Sequence, residues 1–162
     1  MKKKIGLILL LGFVWFSTLL IGMKIGITGT EKRLEVLVQT TPNYTGQEIQ
    51  DAVNAYRVKV GLKELKIDSD LCNNLYDRYA KMLSEDALTT GHPGFDEWAD
   101  QKIKDYGYTL VGEVFSPDLT TEKVMTGWEN SPGHNAAITN PKYTGVCTYA
   151  GERGVVVVMG AK

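Results

Sequence analysis

Cysteine is scarce in this chain. Its 162 residues hold two, Cys72 and Cys147, and no C-x-x-C pair, so the usual redox and zinc motifs built on that spacing are excluded. Histidine is equally scarce. His92 and His134 are the only two, and the His-Glu-x-x-His pattern of zinc peptidases is missing. Positive charge is lacking where a nucleic-acid binder would need it. The whole chain carries −1, and residues 34–162 hold twelve Lys/Arg against eighteen Asp/Glu, a net charge of −6. A domain of that sign has no general attraction for nucleic acid or for an anionic membrane surface, so no nucleic-acid partner is expected. Internal repeats and low-complexity tracts are absent too.

What the N-terminus does have is a long apolar run. Lys2-Lys3-Lys4 precede Ile5 to Met23, which are free of charge until Lys24. As a helix this run would measure about 28 Å, close to the thickness of a bilayer core. Gly6, Gly12, Ser17, Thr18 and Gly22 are its only interruptions, which makes it a transmembrane element or an export signal rather than an amphipathic core helix. A cleaved signal ends in a small-x-small site. No alanine occurs before Ala52, and Gly26-Ile27-Thr28 and Thr28-Gly29-Thr30 are weak substitutes. The expectation is an uncleaved signal-anchor over residues 1–29, with a signal peptide as the alternative. No cysteine lies near the end of the run to serve as a lipoprotein site. The lysines before it favour leaving the short tail inside and the domain outside, anchored in the cell membrane by a single span, or secreted if the span is cleaved. Residues 30–44 read as a stalk. Residues 45–162 read as one domain, long enough to bury a core.

Within that domain Thr45-Gly46-Gln47-Glu48 is a capping box, and Ile49, Val53, Tyr56 and Val60 recur at helical spacing until Gly61. Leu62, Leu65 and Ile67 suggest an extended link. A second helix is expected from Asp68 or Ser69, with Leu71, Leu75, Tyr79 and Met82 inward and Cys72 and Leu83 at its edge. A third begins at Pro93, carries Phe95, Trp98 and Ile103, and ends at Gly107. Tyr108 to Phe115 reads as a strand. A fourth helix covers Thr121 to Asn130, with Val124, Met125 and Trp128 inward, and is broken by Pro132-Gly133. Strands follow at Tyr143 to Tyr149 and Gly154 to Gly160, joined by a turn. Val155 to Val158 shows no alternation, so both faces of that strand are buried. The pattern is an α+β domain, a small sheet between helical layers.

Four motifs in order carry a resemblance. They are Asn54-Ala55-Tyr56-Arg57 with Gly61-Leu62 and Leu65; His92; Gly112-Glu113 within its strand; and Trp128-x-x-Ser131-Pro132-Gly133-His134, followed by Ile138, Asn140-Pro141-x-Tyr143-Thr144 and Gly145-Val146. Together they resemble the CAP superfamily of cysteine-rich secretory, antigen 5 and pathogenesis-related proteins, in its short bacterial SCP-like extracellular branch. The resemblance implies a three-layer α-β-α sandwich and a cleft of two histidines and two acidic residues, which carries over to His92, Glu113 and His134. The second acid does not carry over. Animal and plant members often place it three residues after the tryptophan, where this chain has Ser131, a serine that the resemblance to the bacterial branch implies as a branch feature; Glu129 lies on another face of the helix. Val114 replaces a usual asparagine, and Cys147 a usual glycine.

Two imidazoles and a carboxylate suit zinc or another divalent metal. Glu113 is either a third ligand or the group that orients one imidazole, in which case the metal is held weakly by two. As a general base on bound water, Glu113 with His92 and His134 would instead make a metal-assisted hydrolase. Ser131 before Pro-Gly reads better as a cap or turn than as a nucleophile. Trp128 reads as core, Phe95 and Trp98 as candidates to line the cleft, and Asn54 and Arg57 as groups serving the fold. Cys72 and Cys147 either pair or sit as buried thiols. The reading carried forward is an extracytoplasmic binding module for a protein, lipid or cell-wall ligand, not primarily an enzyme. A hydrolase and a lipid or sterol binder are the alternatives.

Overall fold

The computed structural model describes residues 41–84 and 91–162. The apolar run and nearly all of the stalk lie outside the described residues, and no helix among those described is long and apolar enough to cross a membrane.

The first helix, α1 (Gly46–Lys59), starts where the capping box places it. The Glu48 amide donates to the Thr45 hydroxyl at 3.2 Å and the Thr45 amide to the Glu48 carboxylate at 2.6 Å. Its inner face holds Ile49 and Val53. Arg57, also buried, donates to the carbonyls of Lys63, Ile138 and Asn140 at 3.0, 2.8 and 3.1 Å. Asn54 bonds both the amide and the carbonyl of Leu65, at 2.9 and 3.0 Å. These two polar residues fold the segment after α1 back along it, and that segment ends in the short strand β1 (Lys66–Ile67).

The expected second helix is two helices, α2 (Ser69–Cys72) and α3 (Leu75–Ser84). Between them Asn74 is left-handed, at φ 59°, a conformation that asparagine tolerates better than most residues. The Lys102 ammonium donates to the carbonyls of Asp70 and Asn73 at 2.7 and 2.6 Å, satisfying groups that a continuous helix would have used. The next helix, α4 (Phe95–Tyr106), starts two residues later than expected and ends at left-handed Gly107. After β2 (Leu110–Ser116) comes α5 (Thr121–Asn130), within its expected bounds and capped by Thr120. Pro132 does not end helical structure. It opens another short helix, α6 (Pro132–Ile138), because proline's fixed φ and missing N–H suit a first helical turn. The chain closes with the hairpin β3 (Gly145–Gly151) and β4 (Gly154–Ala161).

The sheet order is β1-β3-β4-β2, with β3 and β2 both antiparallel to β4 and β1 parallel to β3. On one face Val114, Val146, Val155, Val157 and Met159 pack with residues of α1, α5 and α6. On the other, Phe115, Cys147, Val156 and Val158 pack with Leu71, Leu75, Tyr79 and Met82 of α2 and α3. Every residue of β4 is buried, as its unbroken valine run requires. Cys72 and Cys147 are bonded, S–S 2.03 Å, and tie α2 to β3. The result is a mixed α+β domain with helices on both faces of the sheet.

Candidate functional site

The site is built beside β2, an edge strand. Leu75, Tyr79 and Met82 give α3 an apolar stripe, and Arg78 falls inside it. A guanidinium so placed must find a buried partner. Arg78 is 2% exposed and Glu113 of β2 is 8% exposed. They meet in a two-pronged pair, Nε to Oε2 at 2.7 Å and Nη2 to Oε1 at 2.6 Å. The third arm of Arg78 donates to the Pro93 carbonyl at 2.5 Å, which fixes the loop that carries His92.

His92 lies between two left-handed glycines, Gly91 at φ 87° and Gly94 at φ 66°. That loop delivers His92 Nδ1 to 2.7 Å from Glu113 Oε1, with the imidazole 34% exposed. An ionised carboxylate only accepts, so in the neutral ring this contact puts the proton on Nδ1 and leaves the lone pair on Nε2. His134 comes from the other side, in the first turn of α6. Its Nδ1 lies 3.0 Å from the Ser131 hydroxyl. The two imidazole centroids are 6.4 Å apart, with planes inclined at 60°. Burial first, and then the neighbouring His92, hold the His134 pKa below its ordinary value, which favours the neutral ring.

His92, Glu113 and His134 therefore gather at one place, but in unequal roles. Both Nδ1 atoms are occupied, and both Glu113 oxygens are taken by Arg78 and His92. No cluster of three or more His, Cys, Asp or Glu side chains among the described residues is placed to hold a metal ion. The fitting donor set is the pair of Nε2 atoms, each ring braced on its far nitrogen, the arrangement that outer hydrogen bonds give metal-binding histidines. Ser131 sits at the junction of α5 and α6, where its backbone amide closes α5 and its hydroxyl bonds His134 and makes no capping hydrogen bond to α6.

The other candidates divide. Phe95 lies 6.4 Å from His92 and borders the cleft. Trp98 stacks on Phe95 at 6.5 Å and faces Lys102 at 4.8 Å, lining the groove between α3 and α4. Trp128 is core, its indole donating to the Phe115 carbonyl at 3.2 Å. Val114 packs on the opposite face of the sheet from Glu113. The residue that sequence reasoning missed is Arg78. Its signal was present, a charged residue at helical spacing within an apolar stripe.

Comparisons with known proteins bear on the family and the fold. Residues 50–157 match the family described as CAP, the cysteine-rich secretory protein family. An uncharacterized Bacillus subtilis protein is 31% identical over 101 residues, 60% of this chain and 39% of its own length. An uncharacterized Borreliella burgdorferi protein is 31% identical over 86 residues, covering 52% of this chain and 54% of that protein. This chain thus spans about two-fifths to a little over half the length of these relatives. Among solved structures, an extracellular SCP-domain protein of Bacillus anthracis has a TM-score of 0.60 at 20% identity, over 72% of this chain and 40% of that one. An outer surface protein of Borrelia burgdorferi has 0.58 at 25% identity, over 72% and 91%.

Proposed function

This chain belongs to the cysteine-rich secretory protein (CAP) family, and we propose that it is an extracytoplasmic binding module whose His92–His134 cleft takes a divalent transition metal weakly. The location is supported by relatives described as an extracellular protein and an outer surface protein, and by the apolar run Ile5 to Met23, which would tether the domain or be removed on export. The observation that carries the reading is the engagement of Glu113. Held on both oxygens by Arg78 and bonded to His92, it is better placed to orient an imidazole than to serve as a third ligand or as a general base.

The residues that would hold the metal are His92 and His134, each through Nε2. Zinc or a similar ion bound there would supply a Lewis-acid centre with open positions for a ligand donor from the partner. Glu113 keeps the proton of His92 on Nδ1, and Ser131 steadies His134. The partner class is a protein, lipid or cell-wall ligand. Calorimetric titration of the full chain with zinc tests the reading. It predicts weak binding that disappears in both His92→Ala and His134→Ala proteins shown to be folded. Turnover of an ester or peptide substrate that is lost in a folded Glu113→Gln protein would favour a hydrolase instead.

A further inference from the structure

A second concave surface lies along α3, away from the histidines. Arg78 reaches toward β2, whereas Tyr76 and Tyr79 face β3. Tyr79 is buried with its ring 5.0 Å from that of Tyr149. Tyr76 stands edge-on to Tyr149 at 5.5 Å, inclined by 75°, and is 61% exposed. With Leu83 and the tip of the β3–β4 hairpin, these rings enclose a cavity of about 370 Å³, within the size range of small-molecule sites.

The hairpin tip is built onto the rings. The Arg153 amide donates to the Tyr79 hydroxyl at 3.0 Å. A Cβ at position 151 would come within 2.6 Å of the Tyr79 ring, so glycine is what lets the strand lie against it. Gly154, at φ 125°, completes the turn in a conformation that side chains resist. The walls are therefore set before any ligand arrives, which lowers the cost of binding.

A single exposed tyrosine is ordinary on a protein surface. Tyr76 differs because its ring belongs to an aromatic wall whose rim is Glu152 and Arg153, both exposed. Their charges cancel, so the rim has no net attraction for a polyanion or a polycation. Their heads are planar and offer several acceptors and donors side by side. Aromatic faces accept the C–H faces of a pyranose ring, and a carboxylate beside a guanidinium accepts from and donates to its hydroxyls. From this we infer that the Tyr76–Tyr79–Tyr149 cavity binds a neutral sugar unit of a glycan. The site does not involve the histidine cleft, so this inference and the metal reading fail separately.

The test is a titration of the full chain, isotope-labelled, with N-acetylglucosamine tetramer and with glucose tetramer, followed by NMR. Saturable shifts of Tyr76, Tyr149, Leu83 and Arg153 with either sugar are the expected result. Tyr76→Ala alters an exposed ring and should leave the fold intact while weakening binding about tenfold, the scale of one aromatic contact. Arg153→Ala should weaken it as well, and His92→Ala should leave it unchanged. Absence of saturable shifts with both sugars overturns the inference. So does undiminished binding by Tyr76→Ala, or saturation of the site by a proline-rich decapeptide, the other ligand class that aromatic grooves take, when neither sugar binds.

Discussion

Replacing Arg78 by methionine keeps an unbranched apolar stem but removes the guanidinium and its charge. Glu113 then loses both hydrogen bonds from the guanidinium, at 2.6 and 2.7 Å, while remaining only 8% exposed. Breaking one half of a buried ion pair costs about 3–5 kcal/mol, because the remaining charge is left in a poor dielectric without its partner. The Pro93 carbonyl loses its donor in the same substitution. For a domain of this size each kcal/mol moves the melting temperature by roughly 3–5 °C, so Arg78→Met should melt roughly 10–20 °C lower. The double variant Arg78→Met/Glu113→Leu removes both charges and should recover most of that loss. Urea denaturation of wild type, both single variants and the double variant gives the coupling energy. A loss below about 1 kcal/mol for Arg78→Met, or no recovery in the double variant, would refute the claim that this pair is buried and mutually dependent.

His134 has a pKa held below its ordinary 6.5 by burial and by His92. As pH falls, the unfolded chain therefore takes up this proton before the folded one. The His134 contribution to stability is fully present above the unfolded pKa and is lost as pH falls through the folded pKa. NMR titration of the metal-free protein should place the His134 midpoint below 6.5, and a midpoint at or above that value would contradict the burial argument. Cys72 and Cys147 close a loop across a separation of 75 residues. In the chain-entropy model their bond is worth about 4–5 kcal/mol, so melting before and after full reduction should differ clearly, and equal melting temperatures would count against that contribution. Trp128→Phe leaves the Phe115 carbonyl without its indole donor, and should cost about 1–3 kcal/mol in denaturant unfolding.

The legible parts of the sequence were those whose signal is local. The capping box at Thr45 fixed the start of α1, the spacing of Val124, Met125 and Trp128 gave α5 its bounds, and the valine run marked β4 as buried on both faces. The break between α2 and α3 was not legible, because an amphipathic pattern runs through it. What stabilises the break is Lys102, about thirty residues along the chain, reaching the carbonyls of Asp70 and Asn73. α6 was missed because Pro-Gly reads as a breaker when seen from the helix before it, although proline is equally suited to the first turn of the helix after it. At the site, motif order and the resemblance it carries point to His92, Glu113 and His134, and the structure brings the three together. Motif order leaves Glu113 between ligand and orienting group. That choice depended on Arg78, whose position in an apolar stripe was the one cue in the sequence that a buried carboxylate had a partner already.

The most direct test of the central claim is a two-bond proton–nitrogen correlation of the imidazoles in the full chain, recorded with and without zinc. Nε2 of both His92 and His134 should move on zinc addition while Nδ1 of His92 keeps its proton and its bond to Glu113. Movement of the His92 Nδ1 signal to a metal-bound position, with a matching change at the Glu113 carboxylate, would contradict it and make Glu113 a ligand.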